Sequence, residues 1–338
     1  MKPRIFQIEL TTSCRLKCKM CIRYYLESKS HGQGMTIGLY KRIAPYMKNL
    51  DVVVLSGWSE TLFHPGLCEI ISITRRQGPQ VGFVTSGYGL NETYERQLLR
   101  AGLNFLGFSL AGATPQIHNS IRINSDLNAI VESINRLQFL IKTSDSFDTH
   151  LHLVFLMLKS NIHELLDVVR LTRELGIDQL FVTNMIHITS PPPPEEPVFV
   201  CSGTSGYEEV LDQAESLART LGIKLRRPAL SPVTTYVCEE NPLNNLYIST
   251  DGQVAPCVYL NAPLPPLSKK IYCGNTVPHQ LTTFGKLGET DLKAIWEVKE
   301  YKAFRRAFLL RKLGGRLGLG NLFPPPPPCR TCHKMLGF

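Results

Sequence analysis

No stretch of this 338-residue chain holds the roughly 18 consecutive apolar residues that a membrane-spanning helix needs. The most apolar segments, such as residues 151–158, are interrupted well short of that length, so no membrane partner is expected. The apolar run of a signal peptide is missing too, because a polar, cysteine-bearing segment begins at Thr11, and the expected location is the cytoplasm. Charge is sparse at 19% against 43% hydrophobic residues, which excludes a disordered chain and leaves enough apolar surface for about two domains. Much of the proline, nine of 23 residues, sits in two runs, residues 191–194 and 324–328, and acts as punctuation. Aromatic residues are not interleaved with the eight Lys and Arg between Lys293 and Arg316, whose helical spacing reads as a solvated face; no nucleic-acid partner is expected. The net charge of +9 points instead to an anionic substrate, cofactor or partner.

What is present is an alternation of strand and helix patterns. Apolar or alternating runs predict strands at 5–10, 51–56, 80–86, 104–110, 149–158 and 179–184. Three- and four-residue apolar steps predict helices at 37–48, 67–76, 91–101, 126–143 and 161–175, with Thr36 capping the first and Asn161 or Ser160 the last. Successive strand–helix units imply a parallel sheet with right-handed crossovers, curved into a partial or complete barrel, with ligands at the C-terminal ends of the strands. The pattern breaks at the Ser-Pro tract of 190–197, and a helix at 207–221 follows. The expected division is therefore 1–190 for the barrel, 191–230 for a linker and connecting helix, and 231–338 for a small C-terminal domain. In that domain, 247–260 reads as a hairpin turning at Asp251-Gly252, and 292–310 as a helix.

Cysteine is the informative residue type. Cys14, Cys18 and Cys21 form C-x3-C-x2-C directly after the first strand, at the edge where ligands belong. Disulfides require an oxidising compartment, and structural zinc takes four ligands, usually in paired knuckles. Three thiolates suit an iron–sulfur cluster with one iron left open. Cys68 on a helix's apolar face and Cys201 in the linker read as buried or free thiols. His64, His118 and His187, near strand ends, read as structural hydrogen-bonding residues, and no catalytic acid or base is assigned.

The segment Cys14-Arg-Leu-Lys-Cys18-Lys-Met-Cys21 resembles the hallmark of the radical S-adenosylmethionine (radical SAM) enzymes. That resemblance implies a partial (β/α)6 TIM-like barrel whose [4Fe-4S] cluster binds SAM and cleaves it to methionine and a 5′-deoxyadenosyl radical. Gly57-Trp58-Ser59-Glu60 is similar to the family's GGE-type motif at the SAM amino group, departing from it at Ser59 and, just beyond, at Thr61. Thr85-Ser86-Gly87 resembles its Thr-Asn-Gly floor, Ser109 a SAM-binding serine, and Arg122 the arginine that pairs with the methionine carboxylate. Met20 stands where many members place an aromatic residue against the adenine, and Thr183 and Asn184 are adenine contacts on position alone.

Cys238, Cys257, Cys329 and Cys332, with Gly252 in the turn, resemble a twitch module, a shortened SPASM domain of α+β type, and imply a second, auxiliary [4Fe-4S] cluster. The same four thiolates would serve zinc, and Cys273 is a spare that can displace one of them. The function this implies is a radical SAM oxidoreductase acting on a small molecule or cofactor precursor, supplied with electrons by a low-potential donor such as flavodoxin or ferredoxin. A short N-terminus, without room for a peptide-recognition domain, leans toward a small molecule or a short protein segment. The alternatives are a maturase of peptide or protein side chains, and a non-catalytic iron–sulfur or zinc protein.

Overall fold

β-branched and aromatic residues that are buried on alternate or on both faces build the strands. The computed structural model describes residues 2–24 and 32–338. The strands are β1 Ile5–Ile8, β2 Lys17–Cys18, β3 Val52–Val54, β4 Gln80–Thr85, β5 Phe105–Leu110, β6 Arg122–Ile123, β7 His150–Met157, β8 Gln179–Asn184, β9 Ile188–Ser190, β10 Lys224–Arg226, β11 Asn245–Ile248, β12 Val254–Ala255, β13 Lys269–Tyr272 and β14 Asn275–Pro278. The helices are α1 Ile37–Ile43, α2 Leu67–Gln77, α3 Glu92–Arg100, α4 Pro115–Ile121, α5 Leu127–Lys142, α6 Leu165–Glu174, α7 Glu208–Thr220, α8 Leu292–Glu297 and α9 Lys299–Arg316.

The main sheet runs β10-β8-β7-β5-β4-β3-β1-β11-β12. Its six central strands are the six expected ones, in chain order and mutually parallel, with helical crossovers between them. β5 is buried on both faces at Leu106, Gly107 and Phe108, as a parallel strand covered by helices should be. The edge strands β10, β11 and β12 come from beyond residue 190, and β10 does not pair with β12, so the barrel stays incomplete. A three-stranded sheet, β14-β13-β9, and a short pair, β2-β6, lie outside it. No helix among the described residues is long and apolar enough to cross a membrane.

Several expectations need correction. The last barrel helix opens as a 3-10 turn, and Asn161 does not cap it: its amide receives the Leu158 N–H and donates to the carbonyls of Leu156 and Ala111, pinning two strand ends. Ser160 donates to Glu195 instead. The helix expected at 292–310 is two, because Val298 is extended at φ −60° and ψ 144°. On the basic face, Arg305 is buried with its guanidinium 3.8 Å from the Trp296 ring centroid, and Arg311 is buried donating to the carbonyls of Thr235, Tyr236 and Phe323. Cys201 and Cys273 form a disulfide, their Cα atoms 5.4 Å apart, so neither is the free thiol or spare ligand the sequence suggested. Only the fold brings these two, 72 residues apart, to one place.

Candidate functional site

The loop after β1 carries the first three thiols to the C-terminal edge of the sheet. β2 pairs antiparallel with β6, which sets Cys18 directly opposite Arg122. The Cys21 N–H then donates to the Cys18 carbonyl at 3.0 Å, tightening the loop. Burial pushes all three thiols up, Cys18 to about 11, while the Arg122 charge pulls Cys18 and Cys21 back toward the thiolate. A positively charged metal group is what such buried thiols need to ionise. Among the described residues, these sulfurs do not converge within 4.8 Å of one another. A single tetrahedral zinc with Zn–S bonds of about 2.3 Å would draw its thiolates to roughly 3.8 Å, so the wider set suits a polynuclear cluster.

The loop after β3 is organised by two buried carboxylates. Glu60 receives bonds from Thr85 Oγ1 at 2.7 Å, Ser86 N at 2.8 Å and Ser86 Oγ at 2.6 Å, and caps the turn at Leu62 N. It thus ties the loop after β3 to the end of β4. Ser59 accepts from Arg23. Glu9, missed in the sequence, accepts from Trp58 N at 2.7 Å and from the Tyr247 hydroxyl at 2.9 Å. Burial raises its pKa above the usual carboxylate range. A methyl group at Gly57 would lie 2.5 Å from Glu9 Cγ, so only glycine lets the loop approach this closely. An acidic residue at the end of the first strand, just before the cysteine-bearing loop, was the signal that could have revealed Glu9.

These elements open onto a cavity of about 440 Å³ at the strand ends. Cys18, Cys21, Met20, Gly57, Trp58, Ser109 and Arg122 line it, and so do Thr183 and Asn184. Ser59, Glu60 and Ser86 are not among the residues that line it. Arg122 Nε is buried without a partner, as is Asn184 Oδ1, so both fit a polar ligand. His64 and His118 are structural as expected: His64 Nε2 donates to the Met35 carbonyl at 2.8 Å, and His118 bridges the Ala111 N–H and Ser125 Oγ. His187 is not, since its Nε2 is buried without a partner.

A second cavity is lined by Cys238, Cys257, Cys329 and Cys332, and it shares Ile186, His187 and Tyr259 with the first. The hairpin turns at Gly252, φ +88°, as the sequence indicated. Burial drives all four thiols up, Cys238 to about 12 and Cys257 well above its usual value. They too are wider apart than a single-ion site among the described residues, whereas Cys201, Cys273 and His333 do converge, two of them as the disulfide. Trp58 joins the two sites through its indole N–H, 3.1 Å from the Val258 carbonyl.

Comparison with known proteins agrees with this geometry. A model described as the radical SAM superfamily matches residues 8–172, and one described as SPASM, an iron-sulfur cluster-binding domain, matches 238–333. The tungsten-containing aldehyde ferredoxin oxidoreductase cofactor-modifying protein of Pyrococcus furiosus is 23% identical over 88% of this chain and 82% of its own. The PqqA peptide cyclase of Streptomyces rochei is 34% identical over 34% of this chain and 31% of its own length. Streptococcus suis SuiB, in its crystal structure bound to S-adenosylmethionine, shares the fold with a TM-score of 0.68 at 11% identity, covering 99% of this chain and 72% of that one.

Proposed function

This chain belongs to the radical SAM superfamily with a C-terminal SPASM-type iron–sulfur domain, and on that footing we propose that it oxidises a small molecule of the cofactor-precursor kind. In this family a [4Fe-4S] cluster and SAM together supply a one-electron cleavage that yields a 5′-deoxyadenosyl radical able to take a hydrogen atom from substrate. Cys14, Cys18 and Cys21 would hold that cluster, and Cys238, Cys257, Cys329 and Cys332 the auxiliary one. Arg122, beside Cys18, presents a fork suited to the SAM carboxylate. Glu9 and Glu60 hold the Gly57–Trp58 loop in place, and Met20, Ser109, Thr183 and Asn184 shape the rest of the pocket.

The observation that carries this reading is the common wall: the 440 Å³ cavity and the cavity of the second thiol set share Ile186, His187 and Tyr259. Such an arrangement suits passing an electron from an oxidised substrate to the auxiliary cluster, and a low-potential donor such as flavodoxin or ferredoxin suits the first. The relation to a cofactor-modifying protein over 82% of its length favours a small molecule. The 34% match to a peptide cyclase over a shorter segment supports the second reading, a peptide side chain as substrate.

Anaerobic reconstitution should yield about eight irons per chain, four for each cluster, with 5′-deoxyadenosine formed from SAM under strong reductant. Zinc in place of iron, with no cleavage, would refute the proposal.

A further inference from the structure

The small sheet outside the barrel gathers three nitrogen-bearing side chains that neither thiol set uses. In the register of β9, β13 and β14, Lys270 stands opposite both Thr189 and Val277. Two-residue alternation then puts His187, just before β9, and His279, just after β14, on the same face as Lys270. All three are nine-tenths buried or more, whereas Lys269, Thr276 and Pro278 on the other face are exposed. The imidazoles meet edge to face, with centroids 4.6 Å apart, and His187 lies 6.1 Å from the Trp58 ring.

Their polar atoms are left open. His187 Nε2 and both ring nitrogens of His279 are buried with no hydrogen-bond partner. Buried polar groups are nearly always satisfied, so orphans at a cavity wall (His187) and directly behind it (His279, which lines neither cavity but packs on His187) mark a missing partner. His187 lines both cavities and Lys270 the second. Lys270 acts electrostatically on both imidazoles, and the groups acting on it are the thiols of Cys332, Cys329 and Cys257, with no carboxylate among them. The cluster therefore offers N–H donors beside one buried ammonium; Glu240 lines the same cavity but acts on Cys238 and Cys257, not on these three groups, and burial raises its pKa.

We infer that His187, His279 and Lys270 form a subsite between the two cavities that takes an anionic oxygen group, a carboxylate or a phosphate, of the substrate. The inference rests on the proposed function for the identity of the ligand as substrate, but the subsite itself is testable without turnover. Burial holds both imidazoles neutral, His187 at about 3 and His279 at about 4, so each keeps one N–H to donate and one lone pair. An anionic group here would fix the substrate's far end while its reacting carbon faces the barrel-mouth cavity.

The test is equilibrium dialysis of the anaerobic, iron-loaded, SAM-supplemented protein against radiolabelled inorganic phosphate and, separately, radiolabelled succinate. One of the two should bind, and the one that does identifies the source of the oxygen group. H187Q and H279Q should each weaken binding about tenfold, the order expected when a buried hydrogen bond is lost. K270M supplies the same readout if either imidazole variant loses iron. R306Q, at an exposed cation of α9, should leave binding unchanged. The inference is overturned if neither anion binds, or if binding survives the three substitutions or falls equally in R306Q. Formation of 5′-deoxyadenosine by the unaltered protein is recorded in parallel: its absence alone would sink the proposed function and leave the dialysis result standing.

Discussion

At the scale of single residues, the barrel mouth depends on one absent methyl group. Gly57 packs against Glu9 so closely that a Cβ would sit 2.5–2.6 Å from three Glu9 atoms. Gly57→Ala must push the loop away or turn the Glu9 carboxylate from Trp58 N and Tyr247, leaving buried groups unpaired at a cost of about 1–3 kcal/mol. The expected result is an unchanged iron content with KM for SAM raised about tenfold or more, read from 5′-deoxyadenosine formation; an unaltered KM would show that the loop does not border SAM. Arg122→Lys makes a sharper test. It keeps the charge that favours the thiolates of Cys18 and Cys21 but loses the bidentate fork. SAM affinity should fall about tenfold, as when one hydrogen bond to a charged group is lost, while cluster absorbance persists.

At the scale of elements, Thr36 caps α1 through Oγ1, 3.1 Å from Leu39 N, as its position before the apolar run foretold. Thr36→Ala should lower stability by about 1 kcal/mol, seen in a denaturant midpoint with no change in m-value. Elements like α1 and the six central strands were legible because their period and caps are local. α4 was missed although Thr114 caps it and Pro115 opens it, because its buried face is His118 and Ile121, and a histidine does not read as an apolar step. β9 was illegible for a different reason: its three residues form a strand only through pairing with β13, some 80 residues away, and the local hairpin of β13 and β14 has strands of four residues, too short to read. The candidate site divides in the same way. Cys14, Cys18 and Cys21 follow from spacing, and Arg122 from its motif, but a motif does not say which way a side chain turns. Glu60 stood in the reading as part of the SAM-binding motif, and the hydrogen bonds its oxygens accept from Thr85 and Ser86 could be seen only in the fold. His187, read as a satisfied structural residue, lacks the partner that reading supposed.

At the scale of the whole molecule, the interior carries an unusual load of neutral imidazole. Burial lowers His118 and His187 to about 3, and His152 and His279 to about 4. Each folded-state value lies below the ordinary 6.5, so protons favour the unfolded chain; the stability these groups contribute is full above about pH 6.5 and is lost as pH falls toward the folded values. Each imidazole adds a slope of about 1.4 kcal/mol per pH unit within that window. His152 isolates the effect, because it packs between Phe105 and Phe181 on β7 and lines neither thiol cavity, so iron loss cannot be confused with it. In His152→Phe the ring remains and the titration goes. Whatever the packing change costs at pH 7.5, the variant's Tm should gain on the unaltered protein as pH is lowered from 7 to 5. A Tm gap that stays constant across that range would mean that His152 takes up its proton as readily in the folded barrel as in the unfolded chain.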